Sequence, residues 1–104
     1  MSDGMTSLLF KKTYGALAGG ALGDAMGHPT EMMLYPTVER LYGWIDGLRG
    51  TGTEARFSPN MPAGTYTDDT QLKHLFCEAI IRKGGRITAD DLAETWRAEM
   101  KALV

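Results

Sequence analysis

An all-α fold is what this sequence predicts, on three observations. Turn-forming residues divide the chain into segments that read as helices, apolar residues recur at helical spacing in the later segments, and Thr-Asp pairs stand where helix starts are needed. The 104 residues are 43% hydrophobic, 23% charged and 9% aromatic, the balance of an ordinary globular domain and a length that suits one modest core. Eleven Lys and Arg stand against thirteen Asp and Glu for a net charge of -2, and no concentrated basic run exists, which argues against nucleic acid as a partner. The lone cysteine, Cys77, lies in an apolar helical run, which predicts a buried thiol and a reducing compartment.

The first helix is expected from near Lys11 to Gly27, closed by His28-Pro29, because the residue before a proline disfavours helical backbone. Gly15, Gly19, Gly23 and Gly27 form one smooth stripe along it. Each glycine costs about 1 kcal/mol against alanine in a helix, so the stripe predicts close approach by another helix. Its weakly polar stretch from Thr13 to Leu22 stops at Asp24, short of the ~20 apolar residues of a membrane-spanning helix. Lys11 and Lys12 before a Gly- and Ala-rich run make a poor signal peptide, so no membrane association and a cytoplasmic location are expected.

A short second helix is predicted over 37–42, where Val38, Leu41 and Tyr42 share a face and Gly43 supplies a stop. From Asp46 to Gly64 the chain is rich in Gly, Pro, Ser, Thr and Asn and has no scorable periodicity, a long loop of the kind that is functional or mobile. The third helix starts at Thr67-Asp68-Asp69, aligns Leu72, Leu75, Phe76, Ala79 and Ile80, and ends before Gly84-Gly85. Thr88 opens the fourth, with Asp90 and Asp91 in its first turn and Leu92, Trp96, Met100 and Leu103 at helical spacing. No Gly or Pro ends it, which predicts a single domain over 1–104 that stops inside an element and is truncated, with apolar surface left at that edge.

Chemistry is concentrated in a few acids. Asp68 and Asp69 diverge by about 100° around a helix and, with the Thr67 hydroxyl, can hold hard cations such as Mg²⁺ or Mn²⁺. The same residues can equally be a helix cap with favourable first-turn charges, which is the reading for Asp90 and Asp91. Asp24, in an apolar and glycine-rich context, is expected to be a satisfied structural acid bonded to backbone amides or another helix start. Glu31 is either an ordinary exposed acid or a ligand reaching into a cleft. His28 and His74 do not form a zinc pattern, and Met32-Met33-Leu34-Tyr35 reads as core or loop anchor. Trp44, Phe57 and Tyr66 either stack on a base or ribose or are simply packed. Gly47 to Gly52 holds neither a P-loop nor a dinucleotide fingerprint, and no EF-hand spacing occurs.

Gly23-Asp24-Ala25-Met26-Gly27 continuing to Glu31, followed by Gly64-Thr65-Tyr66-Thr67-Asp68-Asp69-Thr70, resembles the N-terminal signature of the ADP-ribosylglycohydrolases, the group typified by the dinitrogenase reductase-activating glycohydrolase. The resemblance spans about residues 13–85. It implies an N-terminal fragment of an all-helical fold with a binuclear Mg²⁺ or Mn²⁺ centre at the base of a cleft for ADP-ribose. Thr67, Asp68 and Asp69 match metal ligands, Glu31 matches an acid that ligates metal or moves a proton, and Asp24 matches a supporting acid. The implied activity is hydrolytic release of ADP-ribose from a modified side chain or a small molecule bearing it. The family completes its site with an Asp-x-Asp-Thr/Ser motif far along a longer chain, and nothing after Asp91 has that form. The resemblance therefore implies half a metal site and a chain inactive by itself. The alternative is a non-catalytic helical fragment or binding module that needs a complementary chain or self-associates. A structural protein on the same fold ranks below both, because it would be expected to lose the acids.

Overall fold

The structure is a computed structural model that describes residues 7–103. Among those residues it contains α1 (Leu8–Gly27), a 3-10 turn (His28–Thr30), α2 (Tyr35–Tyr42), α3 (Asp68–Lys83) and α4 (Ala89–Leu103), with no strand. The boundary between two compact units falls at the Thr67–Asp68 bond.

In the first unit, α1 starts before Lys11 because Ser7 caps it: the Ser7 Oγ accepts the Phe10 amide at 3.0 Å. Ser7→Ala is expected to lower helix stability by about 1 kcal/mol, read as faster amide exchange at Phe10 than in the parent. Phe10 and Tyr14, one turn apart, stack at a centroid distance of 6.0 Å. At the other end the His28 amide bonds the Asp24 carbonyl, and Pro29 lies in the first turn of the 3-10 segment. Ala25 is the buried residue of α1, while Leu8, Leu9 and Leu22 are exposed. The expected close neighbour of the glycine stripe is not found among the described residues: a Cβ built at Gly15, Gly19, Gly23 or Gly27 would meet nothing within 4 Å.

The second helix starts at Tyr35, ahead of the expected Thr37, since Leu34 is extended and Pro36 suits a first turn, whose amides need no intrahelical partner. It ends at Gly43, whose φ of 67° suits a residue without a Cβ. Met32, Leu34 and Tyr35 are exposed, which corrects the core reading of that segment. The long loop has no regular elements, as expected, yet it is ordered around Thr51. That buried hydroxyl donates to the Ser58 carbonyl at 2.5 Å and accepts the Met61 amide at 2.6 Å, while the Thr51 amide bonds the Met61 carbonyl at 2.9 Å.

In the second unit α3 packs against α4 through small residues, with Ala79 and Thr95 buried. Gly84, with a φ of 76°, donates its amide to the Ile80 carbonyl and closes α3. Thr88 and Asp91 form a reciprocal cap at the start of α4: Thr88 Oγ1 accepts the Asp91 amide and an Asp91 oxygen accepts the Thr88 amide. The Thr88 amide, first of all, holds the Asp91 carboxyl below its usual range, and the Lys83 ammonium at 3.2 Å adds to this. Leu72, Phe76 and Ile80 keep 38%, 47% and 45% of their surface in water, and Cys77 is half-buried rather than buried. Two helices offer each other a line of contact, so the residues beside that line stay wet.

Candidate functional site

Asp24 lies in the last part of α1, half-buried, and its carboxylate reaches across the unit to Thr67. One oxygen accepts the Thr67 amide at 2.8 Å, and the other accepts the Thr67 hydroxyl at 2.6 Å. These are charge-assisted bonds to a partly shielded carboxylate, about twice as strong as neutral ones. They join positions 43 residues apart and fix the backbone immediately ahead of Asp68 and Asp69. Asp24 is thus the satisfied acid that its sequence context suggests, and its partner combines a backbone amide with the hydroxyl that precedes α3.

The bond also sets the chemistry of Thr67. Its proton is committed to Asp24, so the oxygen keeps acceptor capacity for a cation or a donor. Asp68 and Asp69 follow as the first residues of α3, both exposed, where the unpaired amides of a helix start favour negative charge. Glu31 is exposed at the end of the 3-10 turn in the first unit. Met32 beside it has a φ of 62°, a left-handed conformation that is uncommon for a side chain of this size. The structure therefore brings Asp24 and Thr67 into contact. Among the described residues no three His, Cys, Asp or Glu side chains converge on a point that could hold a metal ion.

The remaining candidates sort simply. Trp44, Phe57 and Tyr66 are 87%, 60% and 54% exposed, so packing does not account for them. His74 is exposed, and His28 is buried with its Nε2 lacking a hydrogen-bond partner among the described residues.

A cluster at the root of the long loop was not legible in the sequence. The Tyr42 hydroxyl donates to Glu54 Oε1 at 2.5 Å, and the Arg49 guanidinium lies 4.4 Å from the centre of the Tyr42 ring. A tyrosine at the end of α2 and an arginine and a glutamate at irregular spacing in the loop after it give no periodic signal. The bond from Tyr42 is the main reason that the Glu54 carboxyl sits below its ordinary 4.5, and burial, then Glu54, pushes the Tyr42 phenol above its ordinary 10.0. A depressed acid stabilises the fold above its unfolded pKa and loses that contribution as pH falls through the folded value. A raised phenol stabilises below its unfolded pKa and loses the contribution as pH rises through the folded value. The contact is expected to hold between these limits and to weaken both below 4.5 and above 10.0. In a carboxylate NMR titration Glu54 should show a midpoint below 4.5 that returns to the ordinary range in Tyr42→Phe. An unchanged midpoint would contradict the bond.

A family model described as ADP-ribosylglycohydrolase matches residues 5–103. The chain is 34% identical over 80 residues to the uncharacterized protein YegU of Escherichia coli (strain K12), a match that takes in 77% of this chain and 24% of that protein. The chain thus spans about a quarter of the length of the curated relative it matches. No solved structure matches.

Proposed function

We propose, from the premise that the chain belongs to the ADP-ribosylglycohydrolase family, that Thr67, Asp68, Asp69 and Glu31 form part of a divalent-cation site serving hydrolysis of an ADP-ribosyl glycosidic bond. The observation that supports this most is the Asp24 clamp, which takes the Thr67 proton and backbone amide at the residue that precedes two exposed acids in the sequence. The set is all oxygen, which suits Mg²⁺ or Mn²⁺ and not a thiolate- or imidazole-seeking metal. A pair of cations bound there would lower the pKa of a water and engage ribose hydroxyls.

Each residue then has a task. Asp24 holds Thr67 in one rotamer and is a positioning residue. Asp68 and Asp69, on neighbouring directions of one helix start, would take two cations or bracket them. Glu31 would ligate or accept the proton of the attacking water. The oxygen of that water would form a bond to the anomeric carbon of the distal ribose as the bond from that carbon to a side-chain nitrogen or oxygen breaks, and the proton accepted by Glu31 would pass to the leaving atom. The substrate is then an ADP-ribosylated protein, modified for instance at arginine or serine, or a small molecule that bears ADP-ribose. The resemblance implies further ligands from an Asp-x-Asp-Thr/Ser motif, and no such motif follows Asp91 in this sequence.

The test is a titration of the chain with Mn²⁺ and Mg²⁺, with and without ADP-ribose, followed by amide NMR. Paramagnetic Mn²⁺ should first broaden Thr67, Asp68 and Asp69, and Asp68→Ala or Asp69→Ala should weaken binding by roughly tenfold or more. Asp90→Ala, at the capped start of α4, should leave it unchanged. Equal broadening at Asp90 and Asp91, or equal affinity in all three variants, would overturn the assignment.

A further inference from the structure

Within the second unit, α3 and α4 enclose a cavity of about 400 Å³, a volume in the range of small-molecule sites. Its floor is made of small side chains: Ala79 and Thr95 are 1% and 3% exposed, and Ala98 follows Thr95 on the same side of α4. Its walls carry opposite charge. Arg82 and Lys83 come from α3 and Asp91 and Glu94 from α4, so the lining is neutral in sum and polarised from one helix to the other. These four groups are not equally occupied. Lys83 Nζ lies 3.2 Å from Asp91 Oδ1, and the other Asp91 oxygen accepts the Thr88 amide, so that pair is satisfied. Arg82 approaches Glu99 only at 3.6 Å, longer than a hydrogen bond, and keeps half of its side-chain surface in water. The exposed Glu94 carboxylate has no ion pair or hydrogen bond among the described residues. Thr95 gives its hydroxyl proton to the Asp91 carbonyl at 3.0 Å, which leaves its buried oxygen with acceptor capacity.

We infer that this cavity binds a small zwitterion, a free α-amino acid, with its carboxylate on Arg82 and its ammonium on Glu94 and Thr95. A guanidinium presents paired N–H donors that match the two oxygens of a carboxylate. An ammonium carries three donors and suits a carboxylate together with a hydroxyl oxygen. A simple ion is a poorer occupant. An anion drawn to Arg82 and Lys83 is repelled by Asp91 and Glu94, and a cation meets the reverse, whereas a ligand with both charges finds its opposite on each wall. The Ala79 and Ala98 methyl groups favour an aliphatic side chain on the ligand. Clasping of the two helices does not account for the arrangement, because exposed ion pairs contribute little to stability and Glu94 belongs to neither of the two described. None of the lining residues belongs to the proposed cation site, so the two readings can fail separately.

The experiment titrates the whole chain with L-leucine and follows amide NMR signals. Saturable shifts are expected at Ala79, Thr95 and Ala98. L-leucinamide, which lacks the carboxylate, and N-acetyl-L-leucine, which lacks the ammonium, should each bind about tenfold more weakly or worse. Arg82→Gln and Glu94→Gln should each weaken L-leucine binding by about tenfold or more and keep the helical circular dichroism of the parent, because both side chains are exposed. A merely structural role for these charges would move the melting temperature and leave the affinity alone. Absence of saturable shifts, shifts that map away from the cavity, equal binding of the three ligands, or unchanged affinity in either variant would each overturn the inference.

Discussion

Asp24→Ala is expected to destabilise the first unit by about 3 kcal/mol, since two bonds to an ionised group are lost together and the Thr67 amide is left part-buried without its acceptor. The graded variants separate the contributions. Asp24→Asn retains one carbonyl acceptor and should cost roughly half as much, because the charge is gone and the amide nitrogen cannot accept. Thr67→Ser keeps both bonds and should be nearly neutral, whereas Thr67→Val loses the hydroxyl bond alone and should cost about 1 to 2 kcal/mol. Urea unfolding gives these differences, and amide exchange at Thr67 locates them: exchange should accelerate in Asp24→Ala and stay slow in Thr67→Ser. If Thr67 exchanges equally fast in the parent and in Asp24→Ala, the clamp is not formed. Under the proposed function Asp24→Ala should also weaken Mn²⁺ binding, although Asp24 is not assigned as a ligand, because the Thr67 hydroxyl loses its fixed orientation.

The second large effect belongs to the long loop. Thr51→Val keeps the shape of a buried residue and removes its oxygen, so the Ser58 carbonyl and the Met61 amide both lose a partner. Two part-buried polar groups left without a partner should cost about 1 to 3 kcal/mol of loop stability. Gly50→Ala acts on the same crossing from the other side: the new Cβ would lie 2.8 Å from the Met61 carbonyl oxygen and 3.3 Å from the Ala63 amide nitrogen, both backbone atoms that cannot turn aside. Gly52→Ala makes a useful contrast. Its Cβ would meet the Glu54 carboxylate at 2.5 Å, the end of a flexible side chain that can move away and forfeit its bond to Tyr42. Limited proteolysis within residues 52–60 should therefore speed up strongly for Thr51→Val and Gly50→Ala and weakly for Gly52→Ala. Equal rates in all three would mean that Thr51 does not order the loop.

Local patterns announced most of the helices. Ser7, Thr88, Gly43 and Gly84 act within one turn of their own position, through caps and left-handed stops, and such interactions can be read from a short window. α1 opens at Ser7, ahead of the expected start near Lys11, because the Ser7 hydroxyl caps it. Burial was a poorer inference. The face of α3 has the apolar spacing of a core element, but burial needs a second surface, and spacing along one helix says nothing of what stands opposite it.

The sequence by itself determined the helical architecture, the oxygen-rich signature of Glu31, Thr67, Asp68 and Asp69, and the family to which the chain belongs, because each is written in residue types at fixed short spacings. Only the tertiary structure decided that Asp24 grips Thr67 by both amide and hydroxyl, that Thr51 closes the long loop onto Met61, and that Tyr42 meets Glu54. Those contacts join residues 43, 10 and 12 positions apart. A hydrogen bond needs its donor and acceptor within about 3 Å, and the path of the chain between them, not the residues beside them, sets that distance.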